Sequence, residues 1–303
     1  VNSVTYAWDN GVTDGIAFTP TTTATYTVTA TDANGCTVTD QVDVTVNALP
    51  TVDAGADQTV CLGGSVTLAE SSSCSGNALD FDGSNDYINI PSTPQLMLLN
   101  GWSLETWVKR DLDGAQHSLI EKYDWASGTG GYVLRINSNG KVSASNVLGT
   151  SSDYVTGTTV ISAGTWYHLA ATFNPATSSL KVYVNGVLEG TNNAAGLSPA
   201  NSNLPLKLGS RGNDNGTLLN GSMDEIRIWN TERTPSEIQN SMNSCLSGSE
   251  TGLVAYYNFN ESSGTTLTDI TSNGNNGTLT NMDGSTDWVL SGITTSSSNF
   301  TWD

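Results

Sequence analysis

Period-two alternation broken by glycine turns leaves this chain few folds to choose from. The stretch "YTVTATDANGCTVTDQVDVTV" (26–46) alternates apolar and polar residues on both sides of "DANG". That period sets one side of a strand against a core and the other in solvent. Shorter runs at Val4–Trp8 and Ile16–Phe18 read the same way, and "DNG" (9–11) and "TDG" (13–15) place glycine where a turn needs positive φ. Residues 1–49 are therefore expected to supply strands of a small β-sandwich, closed by the linker "NALP" (47–50).

Charge narrows the partners. The 303 residues carry 29 acidic and 10 basic side chains, a formal charge of −19. Such a surface repels nucleic acid and anionic lipid and attracts divalent cations, of which Ca²⁺ prefers carboxylate and amide oxygens. The polar surface is mostly Thr, Ser, Asn and Gly, while β-branched and aromatic residues are plentiful enough to exclude a disordered chain. The reading is a secreted, all-β protein. Nothing resembles a membrane span or a signal segment, and the first residues already read as a strand, so the chain is expected to be a piece of a longer one. Cys36, Cys61, Cys74 and Cys245 lack Cys-x-x-Cys spacing, which argues against zinc.

One phrase occurs twice. Tyr6, Trp8 and Asp9 return at the far end as Phe300, Trp302 and Asp303. Residues 50–73 read as the first strands of a second module, around Thr59–Cys61 and Ser65–Leu68, and residues 291–303 as its continuation. The block between, 74–290, has most of the tryptophans and longer strands, and is expected to be a domain inserted into that module.

"GADQTVC", "YAWDNGV", "YTVTATDANGC" and "DQVDVTV" resemble the tandem PKD-like or Ig-like modules of long surface adhesins in gliding bacteria, the SprB-like type. That resemblance implies a partner for Cys36 before residue 1 and one for Cys61 beyond Asp303; a Cys36–Cys61 bridge is the alternative. The central block resembles a laminin G-like, concanavalin A-like jelly roll of the pentraxin-related kind. The phrases that carry it include "ALDFDGSNDYINI" (78–90), "WSLETWVK" (102–109), "GYVLRINSNGKV" (131–142), "LNGSMDEIRIWN" (219–230) and "GLVAYYNFNESSG" (252–264). The residues agree with it. Leu104, Thr106 and Val108 alternate with Glu105, Trp107 and Lys109, and "KVYVNGVLEG" is an Asn-Gly hairpin. Closing antiparallel strands into a double sheet protects their edges. One helix is expected at Pro235–Met242, with Thr234 as N-cap and Glu237 completing a capping box.

Several groups are candidates for chemistry. A Cys74–Cys245 disulfide would draw the two ends of the insert together and stabilise by roughly 4–5 kcal/mol in the chain-entropy model. Asp82, Asn85 and Asp86, with Asp224 beside Glu225 on a late strand, are candidate Ca²⁺ ligands, since first and last strands of such a jelly roll are neighbours. Their plainer role is to make turns. By resemblance to pentraxins, Asp124 with Asn213, Asp214 and Asn215 forms a second calcium and ligand face, although the family's Glu-Gln-Asp run is absent here. Asp53 and Asp57 sit at a module junction where a cation would bridge, or lie in solvent. Tyr123, Trp125, Tyr132 and Tyr154 are candidate stacking platforms for a glycan, against strand-end packing. Trp107, Trp166, Tyr183 and Trp229 are assigned to the core. Glycosidases need paired carboxylates; Glu105 and Glu225 stand alone, and neither His117 nor His168 falls in a triad. His168 is read as satisfying a buried hydrogen bond.

These readings converge on a cell-surface adhesin segment and not an enzyme: Ig-like modules carrying a jelly roll that binds a glycan or extracellular protein, with Ca²⁺. The rival is a structural spacer without ligand; a glycosidase is the third reading. Burial of the candidate aromatics would favour the spacer.

Overall fold

The computed structural model describes residues 4–20, 22–44, 46, 76–124, 129–148, 151–193, 203–212 and 216–293. The chain divides into two compact units, Val1–Val52 and Asp53–Asp303. In the first, β1 (Thr5–Trp8), β2 (Ala24–Thr31) and β3 (Thr37–Val44) form an antiparallel sheet in that order. The "DANG" turn joins β2 to β3 as expected: Asp32 Oδ1 accepts from the N–H groups of Asn34 and Cys36, and Gly35 has φ 84°. Ile16–Phe18 is not a strand. It lies in a loop entered by a turn from Thr13, and the Phe18 ring packs on Tyr26 at 5.0 Å.

The second unit is an all-β sandwich with the layout of a jelly roll. Its early strands are β4 (Asn77–Asp82), β5 (Tyr87–Ile90), β6 (Trp102–Arg110), β7 (His117–Asp124), β8 (Thr129–Ile136) and β9 (Lys141–Leu148). Next come β10 (Ser151–Val160), β11 (Tyr167–Asn174), β12 (Ser179–Val184), β13 (Val187–Asn192), β14 (Leu206–Leu208) and β15 (Asn220–Trp229). After helix α1 (Pro235–Ser241) follow β16 (Leu253–Tyr257), β17 (Thr266–Leu267), β18 (Gly277–Thr280) and β19 (Trp288–Leu290). One eight-stranded sheet, here sheet I, has the order β10-β9-β8-β7-β14-β5-β18-β17. Sheet II has the order β13-β12-β11-β6-β15-β4-β19, and β16 pairs with the second half of β15 where β4 has ended.

Local chemistry explains the joints. Asn185 and Gly186 take φ 49° and 75°, the two left-handed residues a tight hairpin between β12 and β13 requires. At α1, Glu237 N–H donates to Thr234 Oγ1 while Thr234 N–H donates to Glu237 Oε2, the complete capping box. Between the sheets lies the main core, built on Leu104, Val108, Leu134, Leu169, Ile226 and their neighbours. Trp102 anchors it, with the rings of Phe173 and Tyr132 at 5.9 and 6.1 Å.

Of the four aromatics assigned to the core, two are buried as expected and two are not. Tyr183 and Trp229 are buried, but in satellite clusters on the outer side of sheet II, and Trp107 and Trp166 are half-buried. Cys245 is disulfide-bonded, whereas Cys36 is a free, exposed thiol, so a Cys36–Cys61 bridge is not formed. Cys74, Asp53, Asp57 and the expected continuation of the interrupted module at Phe300–Asp303 lie outside the described residues.

Candidate functional site

A sandwich buries one side of each sheet, so its chemistry is decided by what each outer face presents. On sheet I, register aligns one outward row across seven strands: Thr278, Asn89, Lys207, Glu121, Val133, Ser145 and Tyr154. These alternate with the core residues Leu279, Ile88, Leu208, Ile120, Leu134, Ala144 and Val155. The Arg135 guanidinium, two residues beyond Val133 and on the same face, reaches Glu121 Oε1 at 3.0 Å. Lys207 Nζ stands 4.9 Å from the centre of the Tyr87 ring, within cation–π range. At the middle of the row Glu121 is buried, and burial pushes its carboxyl up while Arg135 and Arg211 pull it down. Toward the ends the face opens: Thr278 is exposed, and Tyr154 is 69% exposed. Donors, acceptors and two aromatic rings thus share one sheet face, the combination that orients the hydroxyls of a sugar and stacks on its ring.

The outer face of sheet II is closed. Ile238 of α1 packs on Ala170 and Tyr183, and Leu246, after the helix, packs on Trp229, Leu253 and Tyr256. Beneath this cover lie charges that strand alternation alone would place in water. His168 Nε2 is 3.4 Å from Glu105 Oε2, and Arg233 Nε is 3.6 Å from Glu105 Oε1. Burial opposes the charge on Glu105, but His168, Arg227 and Arg233 hold its carboxyl below the usual range. Burial holds the His168 imidazole below its usual value too, so the pair is a neutral imidazole against a carboxylate. Arg227 pairs with Glu225 Oε2 at 2.6 Å and donates to the backbone oxygens of Ser241 and Ser244. Tyr256 donates its hydroxyl to the same Glu225 carboxylate at 2.9 Å. Glu225 itself takes φ 52° at the bulge in β15, which brings Glu225, Arg227 and Trp229 to the covered side.

The candidate residues are therefore distributed unevenly. Tyr132 is buried in the main core, its hydroxyl donating to Leu96 O at 3.1 Å. Tyr123 is buried with Val133 and Val147 beneath Gly212. Neither ring offers a face for stacking: Tyr132 follows the strand phase into the core, and Tyr123, on the side of the outward Val133, is covered where Gly212 crosses it. Tyr154 does offer one, and Trp125 lies outside the described residues.

The first calcium group is not brought together. Asp82 Oδ1 accepts from the N–H groups of Ser84 and Asn85, and Asp86 Oδ2 accepts from Asp82 N–H. Burial, with the charges of Asp82 and Asp287, pushes the Asp86 carboxyl up to about 6. Asp224 stands elsewhere. Asn220 of β15 is the partner of Asp82, and four further residues carry Asp224 roughly 13 Å along the strand. There its Oδ2 accepts from Ser291, and burial raises its carboxyl to about 8. No group of three His, Cys, Asp or Glu side chains suited to a metal occurs among the described residues. Asn213, Asp214 and Asn215 lie outside them, as does the side chain of Asp124. The sequence held a clue to turn-making: "DGSND" (82–86) is echoed by "DGSTD" (283–287), and Asp283 and Asp287 repeat two of these three bonds.

His117 and His168 are both buried, His117 between the carbonyls of Leu218 and Leu112, and His168 against Glu105. The buried ion cluster around Arg227 was missed by sequence reasoning. Its signal is a strand carrying Glu225, Arg227 and Trp229 on one side, charge flanked by an aromatic.

No curated protein matches this sequence. Among solved structures, a Bacteroides ovatus protein assigned as carbohydrate-binding matches with TM-score 0.58 at 17% identity, over 95% of this chain and 89% of that one. Smaller overlaps occur with a heptameric SAP-like pentraxin of Limulus polyphemus (TM-score 0.43, 14% identity, 55% of this chain and 82% of that one). A Ruminococcus gnavus IT-sialidase CBM40 is similar at TM-score 0.45 and 12% identity, over 55% of this chain and 97% of that one. At these identities the likeness speaks to fold. The family model described as the Concanavalin A-like lectin/glucanases superfamily, the laminin G type, matches residues 82–239, more than half of the chain and most of both sheets, and to that family this chain belongs.

Proposed function

We propose that the jelly roll binds a glycan on the outer face of sheet I, as the ligand-binding part of an extracellular, bacterial cell-surface adhesin whose Ig-like modules carry it. The observation that supports this reading is the outward row itself, with Tyr154 open at one end and the Lys207–Tyr87 pair near the other. The carbohydrate-binding assignment of the Bacteroides ovatus protein supports the ligand class. Glu105 faces Arg233 and Glu225 pairs with Arg227 beneath the cover of sheet II, which favours binding without catalysis. No helix among the described residues is long and apolar enough to cross a membrane.

A second reading, the structural spacer, draws on the burial of Tyr123 and Tyr132. An immobilised-glycan array separates the two. Binding by the unaltered chain that is lost in Tyr154→Ala and in Lys207→Ala supports the proposal; a chain that binds no glycan supports the spacer. Calcium belongs to the proposal only through the Asp124 and Asn213–Asn215 loops, and repeating the array in chelator tests it.

A further inference from the structure

The outer face of sheet I carries a charge opposite to that of the chain. Lys141 alternates with the core residues Val142 and Ala144, and so stands outward with Ser143, Ser145 and, on the neighbouring strand, Arg135. Lys207 lies in the outward row, and Arg211, just after β14, is close enough to Glu121 to pull its carboxyl down. Four of the chain's ten basic residues therefore meet on this face, against one of its 29 acidic residues, Glu121, among the described residues. Elsewhere acids dominate. Two further carboxylates border β10 without joining the face: Asp153 pairs with Asn146 in the inward phase, and Glu189 accepts from the N–H groups and hydroxyls of Thr158 and Thr159.

Neutralising Glu121 does not account for the excess. Arg135 Nη2 already pairs with it, and the Arg211 charge adds to that. Lys141 sits two strands away and four residues along, roughly 16 Å from Glu121 by strand geometry, which exceeds the screening length of about 8–10 Å. It has no ion pair among the described residues. Arg135, for its part, leaves Nε buried without an acceptor. A neutral sugar gives such cations nothing to offset their lost hydration, whereas a carboxylate or sulfate supplies a charge-assisted hydrogen bond.

We propose that the glycan bound on this face is anionic, its carboxylate or sulfate groups received by Lys141 and Arg135 while one of its rings stacks on Tyr154. These three residues stand on β9, β8 and β10, with Cα atoms roughly 8–14 Å apart, the span of a short oligosaccharide. This ligand class rests on the glycan-binding reading above.

Biolayer interferometry of the full chain on four immobilised polymers tests it: polygalacturonate and its methyl ester, which differ in the carboxylate, and dextran sulfate and dextran, which differ in the sulfate. Binding to at least one acidic polymer is expected to exceed that to its neutral counterpart by about tenfold or more, and to weaken as salt is raised. The arm that responds names the anion. Lys141→Glu is expected to weaken that binding about tenfold, whereas Lys109→Glu, an equal charge change on sheet II, leaves it unchanged. Equal binding of acidic and neutral polymers, still abolished by Tyr154→Ala, overturns the anionic ligand and keeps the glycan site. Binding to neither acidic polymer, or acid-selective binding that Lys141→Glu does not weaken, overturns it as well; the neutral glycans of the array then decide the site itself.

Discussion

The two outer faces of the jelly roll start from the same strand pattern and end in opposite states. On sheet I, Tyr154 is exposed and Arg135 and Ser145 are half-buried, while Lys207, Glu121 and Val133 in the middle of the row are buried. On sheet II, Glu105, His168 and Arg227 occupy equivalent outward positions and are fully buried. The difference lies in the chain that returns after β15, because α1 and residues up to Leu246 close over sheet II. Charges caught beneath such a cover must be paired, and each partner becomes costly to remove. On sheet I the Arg135–Glu121 pair and the Lys207–Tyr87 contact lie on a face whose ends are open. The lesson is that sheet II is closed over paired charges, whereas sheet I keeps the open ends on which the proposed glycan site rests.

The sharpest contrast is expected at Arg227. Arg227→Met leaves the buried Glu225 carboxylate without its counter-charge and removes the donor to the Ser241 and Ser244 carbonyls, with an expected loss of about 3–5 kcal/mol in urea unfolding. A loss under about 1 kcal/mol would show that the cover admits water and erase the distinction between the faces. Next in size is the cystine at Cys245, in the segment that follows α1. Reduction is expected to cost about 2–4 kcal/mol, read as a fall in Tm, and peptide mapping is expected to find Cys74 as its partner.

Buried carboxyls give the closed side a pH signature. Asp224 has its folded pKa raised to about 8, so between its ordinary value of 3.8 and about 8 the folded chain holds a proton that the unfolded chain releases. Its contribution is complete below pH 3.8 and is lost as pH rises through about 8. Asp86, raised to about 6, acts in the same direction over a narrower span. Urea unfolding from pH 5 to 8 is expected to show stability falling by about 1 kcal/mol per pH unit, and Asp224→Asn to flatten the slope. Stability rising over that range would contradict the burial of Asp224.

Smaller effects refine the picture. Thr234→Ala removes the cap of α1 and is expected to cost about 1 kcal/mol. Tyr154→Ala, on the open face, is expected to change stability by less than about 0.5 kcal/mol while abolishing glycan binding. If Tyr154→Ala instead lowers the unfolding midpoint as much as Thr234→Ala does, the ring is packed rather than offered.

Much of this fold was legible where local chemistry acts alone. Asn185-Gly186 named its hairpin and Thr234 with Glu237 its helix start, since a two-residue turn and a capping box need nothing beyond their own backbone. The site was less legible. Tyr132 follows "GTGG" and reads as a loop aromatic, but its two-residue phase with Leu134 and Ile136 already pointed inward. His168 read as buried, and it is; Glu105 alternates with core residues, and only the long-range return of the chain over sheet II, which alternation does not encode, buries it. Asp82 and Asp86 read equally as ligands and as turn-makers; the turn is what the structure shows, with backbone N–H groups donating to both carboxylates.

Hydrogen exchange with and without a glycan selected from the array tests the central claim most directly. Slowed exchange is expected in Val133–Arg135, Ser143–Ser145 and Tyr154–Thr156 on sheet I, with α1 and β15 unchanged. Protection confined to α1, β15 and β16 would place recognition on the sealed face and contradict the division of labour between the two sheets.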